Sequence, residues 1–217
     1  SDRSLVGSEM CIRDSYGALV ARLKLWPQEQ LQQLCRHWLS FNLDDYVGLS
    51  AGDPSGYSAY MQKHLGQPLG LGPQQLRLPQ PDAVDPEAAA QAYQQSLAAT
   101  GGVGLQLLGL GSNGHVGFNE PPCGPLMACR VVQLSAATRQ QNAGLFGGDP
   151  QRVPEAAITL GLKEILAAEE IHLVVTGSGK AAILKKLLDD EPSEQLPASW
   201  LRQHPRVWLW VDRAAMG

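Results

Sequence analysis

The sequence predicts an α/β fold: a doubly wound, mostly parallel sheet with helices on both faces, Rossmann-like in class. Three observations carry this expectation. Short runs of strand formers alternate with helical stretches of about ten residues, the pattern of strand–helix–strand units. The run Gly104 to Leu110 is almost continuously apolar, as a strand buried on both faces reads, and a glycine loop follows it at once. The chain has 217 residues, 44% of them hydrophobic, which suits one substantial core and a single domain over residues 16–217.

Taken in order, residues 1–15 have neither a helical nor a strand period. They read as a non-native-looking tail, and Ser4 to Ser15 resembles a translated sequencing-library adapter, so they are set aside from the fold. An ordinary polar terminal tail is the other reading. From Tyr16 to Leu25 apolar residues recur at helical spacing (Leu19, Val20, Leu23). Pro27 breaks the run, and Gln28 to Cys35 offers a second short helix. Trp38 to Leu43 is rich in strand formers and ends at Asp44-Asp45-Tyr46. That puts two carboxylates at a strand's carboxyl end, where open α/β sheets keep their chemistry. Asp53-Pro54-Ser55 reads as a turn before a helix from about Gly56 to Leu65. Asp85-Pro86 should cap a helix reaching about Ala99, stopped by Gly101-Gly102. Further strands are expected over Val131–Leu134, Ala157–Leu160, Ile171–Thr176 and Val207–Val211, with Asp189 to Pro197 a surface loop.

A formal charge of -4 without long like-charge runs leaves no footprint for nucleic acid or an anionic membrane surface. An anionic substrate would therefore need local positive groups. No apolar run approaches the roughly 20 residues that span a bilayer, and no secretion signal is visible, so a cytoplasmic location is expected. Cys11, Cys35, Cys123 and Cys129 form no CxxC pair and have no histidine ladder beside them. They read as reduced thiols, and no metal or cofactor is expected.

Gly109-Leu-Gly-Ser-Asn-Gly114 has the spacing of a dinucleotide loop, but Pro121-Pro122 interrupts the helix that should follow. Leu134-Ser135 falls near the place where a ribose-binding acid is needed. Gly177-Ser-Gly-Lys180 suggests a triphosphate loop, yet Val174 stands where that motif needs glycine and Ala181 where it needs a hydroxyl.

The whole stretch Leu108-Gly-Leu-Gly-Ser-Asn-Gly-His-Val-Gly-Phe-Asn-Glu-Pro121 resembles the signature of the glucosamine-6-phosphate deaminases. The resemblance continues in Phe41 to Leu49, Tyr57 to Met61, Thr138 to Asn142, Ala157 to Gly161, Gly177 to Lys180 and Leu201 to Pro205. It implies conversion of glucosamine 6-phosphate and water to fructose 6-phosphate and ammonia. His115 matches the ring-opening residue, suited by a side-chain pKa near neutrality. Glu120 matches the carboxylate that orients the imidazole, Asp44 the enolisation base, and Lys180 a phosphate contact. Asn113 stands where some members carry aspartate, and Gly109 is expected against the substrate; Asp45 would support the loop. Each also has a plain structural reading: a histidine held in place, a solvated acid, a turn cap, a solvated lysine.

Two departures touch phosphate capture. Gly144 stands where the family usually places an arginine, and glycine cannot replace a bidentate guanidinium. The family's first strand and its Gly/Ser/Thr-rich phosphate loop would precede Tyr16, and residues 1–15 read as neither. The resemblance thus implies a phosphorylated amino sugar as substrate, turned over weakly or not at all by this polypeptide, with homo-oligomerisation left open. The other readings are a lactone hydrolase like the 6-phosphogluconolactonases and a non-catalytic sugar-phosphate-binding module.

Overall fold

A computed structural model describes the backbone of residues 8–217 and the side chains of residues 15–217. The first helix, α1, spans Ser8–Leu23, so it begins inside the stretch set aside as a tail and stops before Pro27; α2 spans Gln28–His37. The strand expected over Trp38–Leu43 is two strands, β1 (Ser40–Phe41) and β2 (Asp44–Tyr46). Asp44 and Asp45 therefore lie within a strand, and not in a turn beyond one.

The region expected as one helix begins with α3 (Tyr57–Met61), passes through one π-helical turn at Gln62–Gly66, and ends in α4 (Gln67–Leu69). Next come β3 (Leu76–Arg77) and α5 (Pro86–Ala98), whose Asp85 cap accepts a bond from the Ala88 N–H at 3.0 Å, as the Asp-Pro pair predicts. The apolar run forms β4 (Leu105–Gly109). Then follow β5 (Arg130–Gln133), α6 (Ala136–Asn142), β6 (Ala156–Thr159) and α7 (Leu162–Leu166). The chain continues through β7 (Glu170–Val175), α8 (Ala181–Asp189), β8 (Val207–Val211) and α9 (Arg213–Met216).

The α/β class holds, and the strands divide into three ladders. β4, β7 and β8 form a parallel sheet in the order β4-β7-β8, and β1 pairs in parallel with β3. β2, β6 and β5 form an antiparallel sheet with β6 central. Leu108, Ile171 and Leu173 from the parallel sheet pack with Leu162, Leu184 and Leu201 in the largest core cluster. A second cluster centres on Tyr46, stacked on Tyr57 at 5.6 Å and edge-on to Phe146 at 5.2 Å. It clamps β2 against α3 and the turn after α6.

Asp45 strengthens that clamp. Its buried carboxylate accepts from the backbone N–H groups of Tyr46 (2.8 Å), Tyr57 (3.2 Å) and Ser58 (3.3 Å), the last two from the open start of α3. Burial raises its pKa and these three donors oppose the rise. A helix cap of this kind contributes about 1 kcal/mol. Cys35, Cys123 and Cys129 are free thiols. Among the described residues no helix is long and apolar enough to cross a membrane.

Candidate active site

The glycine loop leaves the end of β4 and folds back on itself through Gly114 N–H to Gly111 C=O (3.0 Å) and Gly111 N–H to His115 C=O (2.9 Å). Gly114 requires its residue type through a φ of +84°. Gly111 requires it for space: a Cβ there would fall 2.3 Å from the imidazole of His115, which lies directly against the Gly111 backbone.

The imidazole is held from its other side by Asn113. One amide oxygen, Oδ1, accepts the His115 backbone N–H at 3.2 Å and sits 2.6 Å from His115 Nδ1. A backbone N–H only donates, so the amide atom facing it is oxygen, and Nδ1 must then carry the ring hydrogen. Nε2 is left with its lone pair free. Burial, and second the positive charge of Lys180, lower the His115 pKa to about 4. At neutral pH the ring is an uncharged base with one defined tautomer.

Lys180 reaches this position from the loop that leaves β7, the parallel neighbour of β4. It closes the helical turn Ser178–Lys180 just after β7 and is only 6% exposed. Gly177, at φ +88°, allows the sharp exit from β7, and its N–H donates to both carboxylate oxygens of Asp212 at 3.0 and 3.1 Å. Lys180 therefore acts on His115 through space from a fixed turn.

Asp44 opens β2 opposite Thr159 of β6. A Cβ on Gly117 would lie 3.3 Å from Asp44 Oδ2 and 3.2 Å from Thr159 Oγ1, so the His115 loop passes directly beside this carboxylate. The loop is pinned there by Asn119, fully buried. Its Nδ2 donates to the carbonyls of Val116 (3.0 Å) and Leu160 (2.9 Å), and its Oδ1 accepts from Arg130 Nη1 (2.9 Å). A cavity of about 630 Å³ opens between these parts, with Asp44, Gly109, His115, Gly117, Phe118 and Thr138 among its walls.

Three expected residues thus meet on one cavity: Asp44, Gly109 and His115. Asn113 stands behind the imidazole and Lys180 acts on it electrostatically. Glu120 differs from expectation. Its carboxylate accepts from the hydroxyls of Ser135 (3.1 Å) and Thr138, at the start of α6, and Asn113 takes the Nδ1 contact that Glu120 was expected to make. Glu120 follows the Val116–Asn119 bridge, and its carboxylate is taken up by the two hydroxyls at the start of α6. α6 supplies wall residues that sequence reasoning did not single out, Thr138, Gln141 and Asn142. The signal was present, since Thr138 to Asn142 already belonged to the motif series. Gly144, just after α6, is exposed, and a Cβ there would meet open space.

A family model for glucosamine-6-phosphate isomerases/6-phosphogluconolactonase matches residues 37–210. A glucosamine-6-phosphate deaminase of Shouchella clausii is 40% identical over 202 residues, covering 93% of this chain and 79% of that protein. Glucosamine-6-phosphate deaminase 2 of Bacillus subtilis is 40% identical over 177 residues, covering 81% and 71% respectively. Among solved structures, a monomeric glucosamine-6-phosphate deaminase superposes with a TM-score of 0.83 at 35% identity, covering 94% of this chain and 82% of that one. A 6-phosphogluconolactonase from Leishmania guyanensis superposes with a TM-score of 0.67 at 20% identity, a likeness of fold alone.

Proposed function

The chain belongs to the glucosamine-6-phosphate isomerase/6-phosphogluconolactonase family, and from that membership we propose that it is a glucosamine-6-phosphate deaminase. The observation that carries the reading is the pairing, on one cavity, of the Asp44 carboxylate with a neutral imidazole of fixed tautomer at His115. Aldose–ketose conversion needs two separate proton carriers, one for ring opening and one for the shift between adjacent carbons.

In the sequence of steps, the free Nε2 of His115 takes the proton of the anomeric hydroxyl and returns it to the ring oxygen, giving the open-chain aldehyde. Asp44 then removes the proton from C2 and delivers one to C1. Water adds at C2 as the amine leaves, so one glucosamine 6-phosphate and one water give one fructose 6-phosphate and one ammonia. Asn113 holds the tautomer. Glu120, tied to Ser135 and Thr138, positions α6 against the cavity wall. Lys180 supplies the positive charge for the phosphate. Because a dianion beside Lys180 offsets its charge, substrate binding itself raises the basicity of His115.

Ammonia release from glucosamine 6-phosphate, measured beside hydrolysis of 6-phosphogluconolactone, tests this reading. Lactone hydrolysis without ammonia would overturn it.

Two variants probe the phosphate side. Burial is the larger cause of the low His115 pKa, and Lys180→Met removes the second, the nearby positive charge. The pKa rises, a larger fraction of the ring is protonated at mildly acidic pH, and the acid limb of kcat/KM is expected to move from near pH 4 toward higher pH, read from a pH–rate profile. Gly144→Arg introduces a guanidinium where the backbone leaves room. It is expected to lower KM for glucosamine 6-phosphate about tenfold, or ~1.4 kcal/mol, through a charge-assisted clamp. With unphosphorylated glucosamine the same comparison should show no change.

A further inference from the structure

We infer that Thr159 is a positioning residue: its hydroxyl fixes the separation between Asp44 and His115, a role that rests on the deaminase reading. Asp44, Thr159 and Arg130 form one row across the antiparallel sheet. Thr159 of β6 is the register partner of Asp44 in β2 on one side and of Arg130 in β5 on the other. Residues directly opposite one another in such pairings send their side chains to the same face. The row thus presents a carboxylate, a hydroxyl and a guanidinium together, and the loop that carries His115 runs along it.

The bonds to that loop are consecutive on both partners. Phe118, three residues beyond His115, donates its N–H to Thr159 Oγ1 (3.3 Å), and the hydroxyl donates in turn to the Leu160 carbonyl (3.2 Å). The same carbonyl accepts from Asn119 Nδ2 (2.9 Å), while Arg130 Nη1 donates to Asn119 Oδ1 (2.9 Å). On its other side, Leu160 donates its N–H to the carbonyl of Leu43 (2.7 Å), the residue before Asp44. Two adjacent residues of β6 therefore hold the His115 loop by one set of bonds and the Asp44 strand by another. Thr159 is fully buried and is not among the cavity walls, so its hydroxyl acts on the carriers and not on the sugar. Ring opening and the proton shift take place at neighbouring atoms of one bound sugar, so the two carriers must keep a fixed separation. A relative displacement of about 1 Å is enough to cost about 10²-fold in rate.

The test compares Thr159→Val, which keeps the β-branched shape and removes the hydroxyl, with Thr159→Ser, which keeps the hydroxyl. In Thr159→Val, kcat for ammonia release from glucosamine 6-phosphate is expected to fall about 10- to 10²-fold, with KM changed less than about threefold. Exchange of the C1 hydrogen of fructose 6-phosphate, which needs Asp44 alone, should fall less than about threefold. Thr159→Ser should return ammonia release to within about threefold of the unsubstituted chain. Arg130→Met loosens the same loop at Asn119 and should show the same split between the two activities. Amide exchange at Phe118 needs no substrate; it should quicken at least about tenfold in Thr159→Val and slow again in Thr159→Ser. Absence of ammonia release in the unsubstituted chain would count against the deaminase reading, and the Phe118 exchange would still report on the Thr159 bond. The positioning role is overturned by unchanged ammonia release in Thr159→Val, by equal loss of ammonia release and C1 exchange, by failure of serine to restore turnover, or by unchanged Phe118 exchange.

Discussion

Asp44→Asn is expected to lower kcat on glucosamine 6-phosphate by about 10²- to 10⁴-fold, the contribution of a placed general base. Asparagine keeps the shape of the side chain and removes its ability to take a proton. The β2–β6 pairing and the Asp45 cap do not involve the Asp44 carboxylate, so both should persist in this variant. The companion measurement is exchange of the C1 hydrogen of fructose 6-phosphate in deuterated water, which should vanish in this variant. Retention of that exchange would assign the C1–C2 proton shift to another group.

His115→Gln is expected to lower ammonia release by a similar factor, about 10²- to 10⁴-fold, for a different reason. Glutamine can still bond to Asn113 but cannot carry a proton between the anomeric hydroxyl and the ring oxygen. Fructose 6-phosphate in solution already contains some open-chain ketone, so C1 exchange should persist in the His115 variant while turnover of the cyclic amino sugar collapses. The two variants therefore separate ring opening from proton shift. If His115→Gln lost both activities equally, the imidazole would be acting in the proton shift as well. In the unsubstituted enzyme the acid limb of kcat/KM should lie near pH 4, because protonation of His115 below that pH removes the free Nε2 lone pair.

The unequal legibility of the site has a physical pattern. His115, Asp44 and Gly109 could be read from the chain because each sits at the edge of a strand or in a glycine loop, and that position is encoded locally by apolar runs and glycines. Glu120 could be located but not oriented. Its partners, Ser135 and Thr138, lie 15 and 18 residues further on, and only the packing of α6 brings them to it. Asn113 was legible as a neighbour of the histidine. Its control of the tautomer depends on a single oxygen shared between a backbone N–H and a ring nitrogen, which is a matter of ångströms.

The fold divides in the same way. The Asp85 cap, the Pro27 break and the β4 strand follow from local chemistry and stand where the sequence places them, although Leu105 is exposed where burial on both faces was expected. The split of one expected strand into β1 and β2 does not. β1 turns to β3 while β2 crosses to the antiparallel ladder of β6, and that choice belongs to partners 36 to 115 residues away.

By itself the sequence determined the α/β class, the loop that bears His115, and the residues available for chemistry, because helical period, glycine placement and motif order are properties of neighbouring residues. Tertiary structure alone decided that Asn113 rather than Glu120 holds the imidazole and that burial, with Lys180 second, depresses its pKa. The first rests on the packing of α6, which draws Glu120 to Ser135 and Thr138, and the second on the approach of segments 65 residues apart, and no local pattern records either.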